Sequence, residues 1–180
     1  MGATIVTYLG GIRCGKSRLA QQRFGAELSP RGLLHPVYLG TLLTAAADAD
    51  RELAQRLTEH RRDRPADWAT VEVGGDLLAA GQACRVQGQD AWFLDGLGAW
   101  AALQLDASQR AMAALGGFLA LARQSCGLLV VVLDEVGQGG IPEHPAARAF
   151  ADLNGSLNQA ACGAADEAWS VQAGLALRLK

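Results

Sequence analysis

Eight residues near the start of the chain limit its fold more than any other stretch. Gly10-Gly11-Ile12-Arg13-Cys14-Gly15-Lys16-Ser17 matches G-x-x-x-x-G-K-[ST] and directly follows the apolar run Ile5 to Leu9. Glycines at these positions let successive backbone N–H groups converge on one anion, while Lys16 adds charge toward terminal phosphates and Ser17 offers a hydroxyl to Mg2+. A helix beginning near Ser17 would add the positive end of its dipole. Apolar strand, glycine-rich turn and helical pattern occur here in the required order, which makes Gly10 to Ser17 a candidate nucleotide-phosphate site and the chain an α/β protein.

The rest of the chain reads as further strands and helices in alternation. Ser17 to about Leu28 carries Leu19, Ala20 and Phe24 on one helical face, and Ser29-Pro30-Arg31-Gly32 is expected to break it. Val37 to Thr41 is a short apolar strand ending in a small-residue turn, as suits a strand end that faces a ligand. Thr70 to Val73 alternates as a strand does, and Gly74-Gly75 stops it. Ala91 to Asp95 is a buried strand that delivers an acid at its carboxyl end, where a phosphate-loop protein holds Mg2+ through its water shell; capping of the next helix is the plainer reading of Asp95. Trp100 and Leu103 are expected in the core, and Asp106 to Ser125 is expected to be a helix with Met112, Leu115 and Leu119 inward.

Gly127 to Leu133 is the most apolar strand and is therefore expected at the centre of the sheet. The glycine-rich stretch Asp134 to Glu143 follows it, placed for ligand work with Glu135 as a candidate catalytic acid, although glycine and proline also mark ordinary connectors. A helix over residues 143–163 bears Arg148, Asp152, Asn154, Asn158 and Gln159, and two final strands meet at Ala173-Gly174 as a hairpin. The expected architecture is a three-layer α/β fold with a mostly parallel central sheet and a C-terminal hairpin, in one domain spanning residues 1–180.

A second polar constellation lies between residues 48 and 64. Ala49, Leu53 and Leu57 recur every four residues, Glu52, Arg56 and His60 form an adjoining stripe, Arg61, Arg62 and Arg64 crowd the end, and Pro65 stops the helix near Asp63. A neutral imidazole is a competent nucleophile at pH 7, and neighbouring guanidiniums both disfavour its cation and bind phosphate, so a covalent phosphoramidate on His60 is chemically reasonable. The same spacing equally lets His60 pack at the edge of the core beside Leu57. Thr41, Arg56, Arg61, Arg64 and Glu72 are further candidate nucleotide contacts.

Bulk properties narrow the partners. A net charge of -2 and a pI near 5.9 give no basic face that argues for nucleic acid. The four cysteines are widely spaced without C-x-x-C or adjacent histidine, which supports neither a metal site nor a disulfide framework. The first residues run straight into a strand, and no apolar run reaches the ~18 residues of a membrane span, so the cytoplasm is the expected location.

Taken together, several segments resemble one family, the bifunctional adenosylcobinamide kinase / adenosylcobinamide-phosphate guanylyltransferase of cobalamin assembly. GGIRCGKSRLA at Gly10 to Ala20 is similar to its phosphate loop, DRELAQRLTEHRRDRPADW at Asp50 to Trp68 to its acid-helix-His-Arg-Arg-Pro-Trp signature, and FLDGLGAW at Phe93 to Trp100 to its second acidic strand end. DEVGQGGIPE at Asp134 to Glu143 and ARAFADLNGSLNQ at Ala147 to Gln159 complete the likeness. The resemblance implies a P-loop NTPase-like fold, commonly a homotrimer, that uses GTP and ATP with Mg2+ at Ser17 and Asp95. It implies phosphorylation of adenosylcobinamide and then transfer of GMP to adenosylcobinamide phosphate through a guanylylated histidine, the role that falls to His60, with Lys16, Asp95 and Glu135 as the other catalytic groups.

Some positions depart from the family pattern. Cys14 stands where serine is usual, Asp134 where asparagine is usual, Gly98 where a hydroxyl residue is common, and Gln138 and Gly140 where larger apolar residues are found. Asp134 adds a negative charge near the triphosphate. These departures leave room for a kinase with only one of the two activities, and for a GTP-binding regulatory module without turnover.

Overall fold

The computed structural model describes residues 2–41, 55, 58, 62 and 64–180. Its strands are β1 (Thr4–Gly10), β2 (Pro36–Gly40), β3 (Ala69–Glu72), β4 (Ala91–Asp95), β5 (Leu128–Asp134), β6 (Glu167–Gln172) and β7 (Leu175–Arg178). Its helices are α1 (Lys16–Arg31), α2 (Leu77–Val86), α3 (Leu97–Ala102), α4 (Ser108–Ser125) and α5 (Pro145–Ala164), with single 3-10 turns at Leu105–Ala107 and Gly137–Gly139. The seven strands form one sheet in the order β3-β2-β4-β5-β1-β6-β7, parallel except for β7, which runs antiparallel beside β6.

Strand composition accounts for this layering. A parallel strand covered on both faces must be apolar at every position. In β5, Leu129, Val131 and Leu133 join one core cluster while Leu128, Val130 and Val132 join the other. The same alternation splits Trp92 and Leu94 from Phe93, and Val37 and Leu39 from Tyr38. Helices α2 to α5 cover the first face, and α1 covers the second, where Phe24 packs edge-on against Trp68 at 4.8 Å and Phe93 at 5.4 Å. Fully burying each such aliphatic side chain is worth about 1.5–3 kcal/mol, so the central strands anchor the fold. Among the described residues no helix is long and apolar enough to cross a membrane.

Several expectations need correction. Helix α1 does not stop at Ser29-Pro30 but runs to Arg31, with Pro30 inside its last turn. The stop is Gly32 at φ 66°, where the Gly32 and Leu33 N–H groups return to the Ser29 and Leu28 carbonyls, a Schellman ending. Leu103 is not core: it lies just past the short helix α3 and is 47 % exposed, whereas Trp100 is buried. Helix α2 has no counterpart in the sequence reading, although Asp76 caps it by accepting from the Ala79 amide at 2.9 Å. The stretch 48–64 lies largely outside the described residues, of which Gln55, Thr58 and Arg62 are helical.

Candidate functional site

Every parallel strand points its carboxyl end toward the same edge of the sheet, which brings the loops after β1, β2, β4 and β5 together. The loop after β1 turns through Arg13 at φ 56° and Gly15 at φ 89°, and Gly15 is the residue from which α1 starts. A left-handed conformation immediately before a helix suits glycine, having no Cβ to clash. Gly10 is required for a different reason: a Cβ there would lie 2.6 Å from both Cys14 Sγ and the Val171 carbonyl oxygen. The loop is also braced from β6 and β7. Ala173 at φ 49° and Gly174 at φ 78° form the two-residue turn of that hairpin, and the Gly174 amide donates to the Cys14 carbonyl at 2.8 Å.

The two expected Mg2+ ligands meet directly. Ser17 Oγ donates to Asp95 Oδ1 at 3.0 Å, joining the first turn of α1 to the end of β4. A hydroxyl and a carboxylate oxygen side by side at a phosphate loop suit a hard divalent cation such as Mg2+. Lys16 is nearly buried; its ammonium donates to the Gly11 carbonyl at 3.2 Å and pairs with Asp134 Oδ1 at 2.9 Å. Ile12 and Arg13 are exposed at the loop's crest, Ile12 at 72 %. Glu135 turns back on its own loop, accepting from the Gly137 amide at 2.8 Å, while its N–H bonds the Gly10 carbonyl at 2.9 Å.

Tyr38 is a site residue that the sequence reading passed over. Its hydroxyl donates to Asp95 Oδ2 at 2.5 Å, so the two oxygens of that carboxylate each receive one hydroxyl donor. Burial, with the adjacent Asp95 charge, pushes the Tyr38 phenol well above its ordinary pKa and keeps the donor protonated. A tyrosine in the apolar stretch Val37 to Thr41 looks like core; the signal is its place two residues before the end of β2, on the face where an acid from the neighbouring strand arrives. Thr41 is 2 % exposed, and its one hydroxyl proton is shared between the Asp95 carbonyl at 2.9 Å and the Gly96 carbonyl at 2.5 Å, fixing the turn after β4.

Arg64 and Glu72 lie beside this group. Arg64 Nη1 is 3.6 Å from Glu72 Oε1, and the guanidinium lies 4.2 Å from the Tyr38 ring centroid. Helix α5 adds two buried asparagines whose amide nitrogens both donate to the Asp134 carbonyl, Asn154 at 2.7 Å and Asn158 at 2.9 Å. The sequence reading placed both on a helix without this role, which only the packing of α5 under the end of β5 reveals. His60, Arg56 and Arg61 lie outside the described residues.

The arrangement is thus a phosphate loop with a cation, a hydroxyl and a buried carboxylate ready at its mouth. Residues 5–179 match the family model described as cobinamide kinase / cobinamide phosphate guanyltransferase. The chain belongs to this family. A bifunctional adenosylcobalamin biosynthesis protein of Salmonella typhimurium is 33 % identical over 190 residues, covering 98 % of this chain and 99 % of that protein. Its counterpart in Pseudomonas aeruginosa is 33 % identical over 174 residues, covering 96 % and 95 %. Among solved structures, the flagellar accessory protein FlaH of Methanocaldococcus jannaschii aligns with a TM-score of 0.56 at 14 % identity, over 99 % of this chain and 79 % of that one. A KaiC-like protein of Pyrococcus horikoshii aligns with a TM-score of 0.52 at 16 % identity, over 94 % and 71 %. These two likenesses speak to the fold, a phosphate-loop NTPase type, and family membership speaks to the chemistry.

Proposed function

We propose that the protein phosphorylates the terminal hydroxyl of adenosylcobinamide with ATP or GTP and then transfers GMP from GTP to adenosylcobinamide phosphate. The observation that carries the reading is the contact of Ser17 with Asp95, at the same loop as the buried Lys16, in a chain that belongs to this family. In the first reaction the substrate oxygen bonds to the γ-phosphorus, the bond to the departing diphosphate breaks, and the hydroxyl proton leaves to a base or to water. The loop amides and Lys16 would hold the phosphates, and Ser17 with Asp95 would hold Mg2+, which would supply positive charge against the charge developing on the transferred phosphoryl group. Glu135, at the end of β5, is the candidate to orient or accept from the hydroxyl.

In the second reaction a nitrogen of His60 bonds to the α-phosphorus of GTP and pyrophosphate leaves. An oxygen of adenosylcobinamide phosphate then takes the GMP group, the P–N bond breaks, and the imidazole is restored. Arg56, Arg61 and Arg64 are the candidate phosphate contacts for this step, and Thr41 and Glu72 are further candidates for nucleotide contact. One domain over residues 1–180, a homotrimer and a cytoplasmic location belong to the same proposal; of these the trimer rests on the resemblance. Incubation with GTP labelled at the α-phosphate is expected to leave acid-labile, base-stable label on the protein. Equal labelling of a His60→Ala variant sinks the covalent step, and phosphorylation without label favours a kinase alone.

A further inference from the structure

The backbone of Asp134 is fixed from two directions. Its carbonyl takes the Asn154 and Asn158 amides at 2.7 and 2.9 Å, and the next N–H, from Glu135, reaches the Gly10 carbonyl at 2.9 Å. Its side chain is fixed by an absence of volume at Gly98. A Cβ on Gly98 would lie 2.7 Å from Asp134 Oδ2, 3.0 Å from Asp134 Cβ and 3.2 Å from Asn154 Oδ1. Contacts under 3.0 Å are essentially never seen for real Cβ atoms, so the carboxylate fills space that any other residue at position 98 would claim. With Oδ2 seated there, Oδ1 lies 2.9 Å from Lys16 Nζ, in a pair whose side chains are 10 % and 32 % exposed.

We propose that Asp134, seated in the space left by Gly98, is an internal anion that occupies Lys16 until a triphosphate displaces it, so that these two residues set triphosphate affinity together. A carboxylate and a phosphate compete for the same ammonium. Because the Asp134 backbone is clamped by α5 and β1, the carboxylate does not retreat with the loop when nucleotide enters. It is left beside the terminal phosphates as a like charge that, being half-buried, solvent screens only in part. Asp134 acts through Lys16 and is therefore a positioning residue. Its influence falls on ligands whose charge reaches Lys16 and spares those that stop at the α-phosphate. The two departures at positions 98 and 134 then become one physical unit, a small residue making room for a charged one.

This inference rests on reading Gly10 to Ser17 as the triphosphate loop. The test is calorimetric titration of GTP and GMP, with Mg2+, into the wild-type protein and into Asp134→Asn, Gly98→Ala and the double variant. Asp134→Asn keeps the shape and removes the charge; GTP is expected to bind about three- to tenfold tighter while GMP affinity stays unchanged. Gly98→Ala pushes the carboxylate off Lys16 and is expected to shift GTP affinity the same way, with no further gain in the double variant. In the kinase assay the KM for GTP falls in Asp134→Asn while kcat holds. Equal or weaker GTP binding by an Asp134→Asn protein that melts like the wild type overturns the proposal, as does an equal gain for GMP. Should Asp134→Asn fail to fold, Gly98→Ala decides: tighter GTP binding supports the proposal, and unchanged or weaker binding overturns it. A wild-type protein that binds no GTP overturns the functional reading itself, whereas normal wild-type binding with indifferent variants overturns only this inference.

Discussion

Asp95 and Asp134 end neighbouring strands at the same edge of the sheet, and the protein surrounds them differently. Asp95 is buried to 7 % exposure, and among its partners in the described residues are the Ser17 and Tyr38 hydroxyls, one on each oxygen. Asp134 is more open and faces the ammonium of Lys16. Hydroxyls orient a carboxylate without cancelling its charge, whereas an ammonium opposes that charge directly. The difference teaches that an acid at a strand's carboxyl end is not a role in itself. What faces it sets what it can hold: in the proposed reading Asp95 serves an incoming cation, while Asp134 holds a resident one.

The comparison breaks most visibly at Asp95. Replacing it with asparagine keeps the shape but removes the charge, and kinase turnover with MgGTP is expected to fall about a hundredfold or more. Turnover near wild type would leave Asp95 a structural acceptor for Ser17 and Tyr38, since α3 starts from Gly96 without a side-chain cap and the plainer reading of Asp95 as that cap does not hold. Next in size is Tyr38→Phe, which strips one donor from a buried carboxylate and is expected to cost about 1–3 kcal/mol in urea unfolding. It is also expected to raise the Mg2+ concentration needed for half-maximal rate, because Asp95 loses the bond that aims it.

Tyr38 carries a pH prediction with a definite sign. Its folded pKa lies well above the ordinary 10.0, so the unfolded chain loses this proton first as pH rises. Stability from Tyr38 is therefore full below about pH 10 and declines above it. Urea midpoints between pH 9 and 11 should fall less steeply in Tyr38→Phe, the remaining slope including Tyr8, which burial also raises. The smallest expected effect on activity comes from the opposite edge of the sheet. Burial works against the Asp166 charge, yet the Arg123 guanidinium and the Ile5 amide hold its pKa below the ordinary value. Arg123→Ala should lower stability by about 1 kcal/mol at pH 7 and flatten the loss of stability as pH falls below about 4, with nucleotide affinity unchanged.

Much of the sheet was legible because each central strand announces itself. Ala91 to Asp95 and the hairpin turn at Ala173-Gly174 stand where the residues placed them, since continuous apolar runs and left-handed turn positions are local properties. Leu103 was misread because periodicity does not say how soon a helix stops. Pro30 was misread because a proline tolerated within a last turn looks, in sequence, like one that ends it. At the site, Lys16, Ser17 and Asp95 came from motif and strand end, which local order specifies. Tyr38, Asn154 and Asn158 did not, because their roles arise from neighbours distant along the chain: Asp95 for the first and the Asp134 carbonyl for the others.

The hydrogen bond from the Gly174 amide to the Cys14 carbonyl has a consequence for how the protein comes into being. The anion-binding loop leaves the ribosome well before the hairpin that braces it. Until β6 pairs with β1, that first strand also has an open edge, the kind of surface on which nascent chains misassociate. Closing so long a span is slow. The binding loop is accordingly synthesised before the contacts that finish it can form.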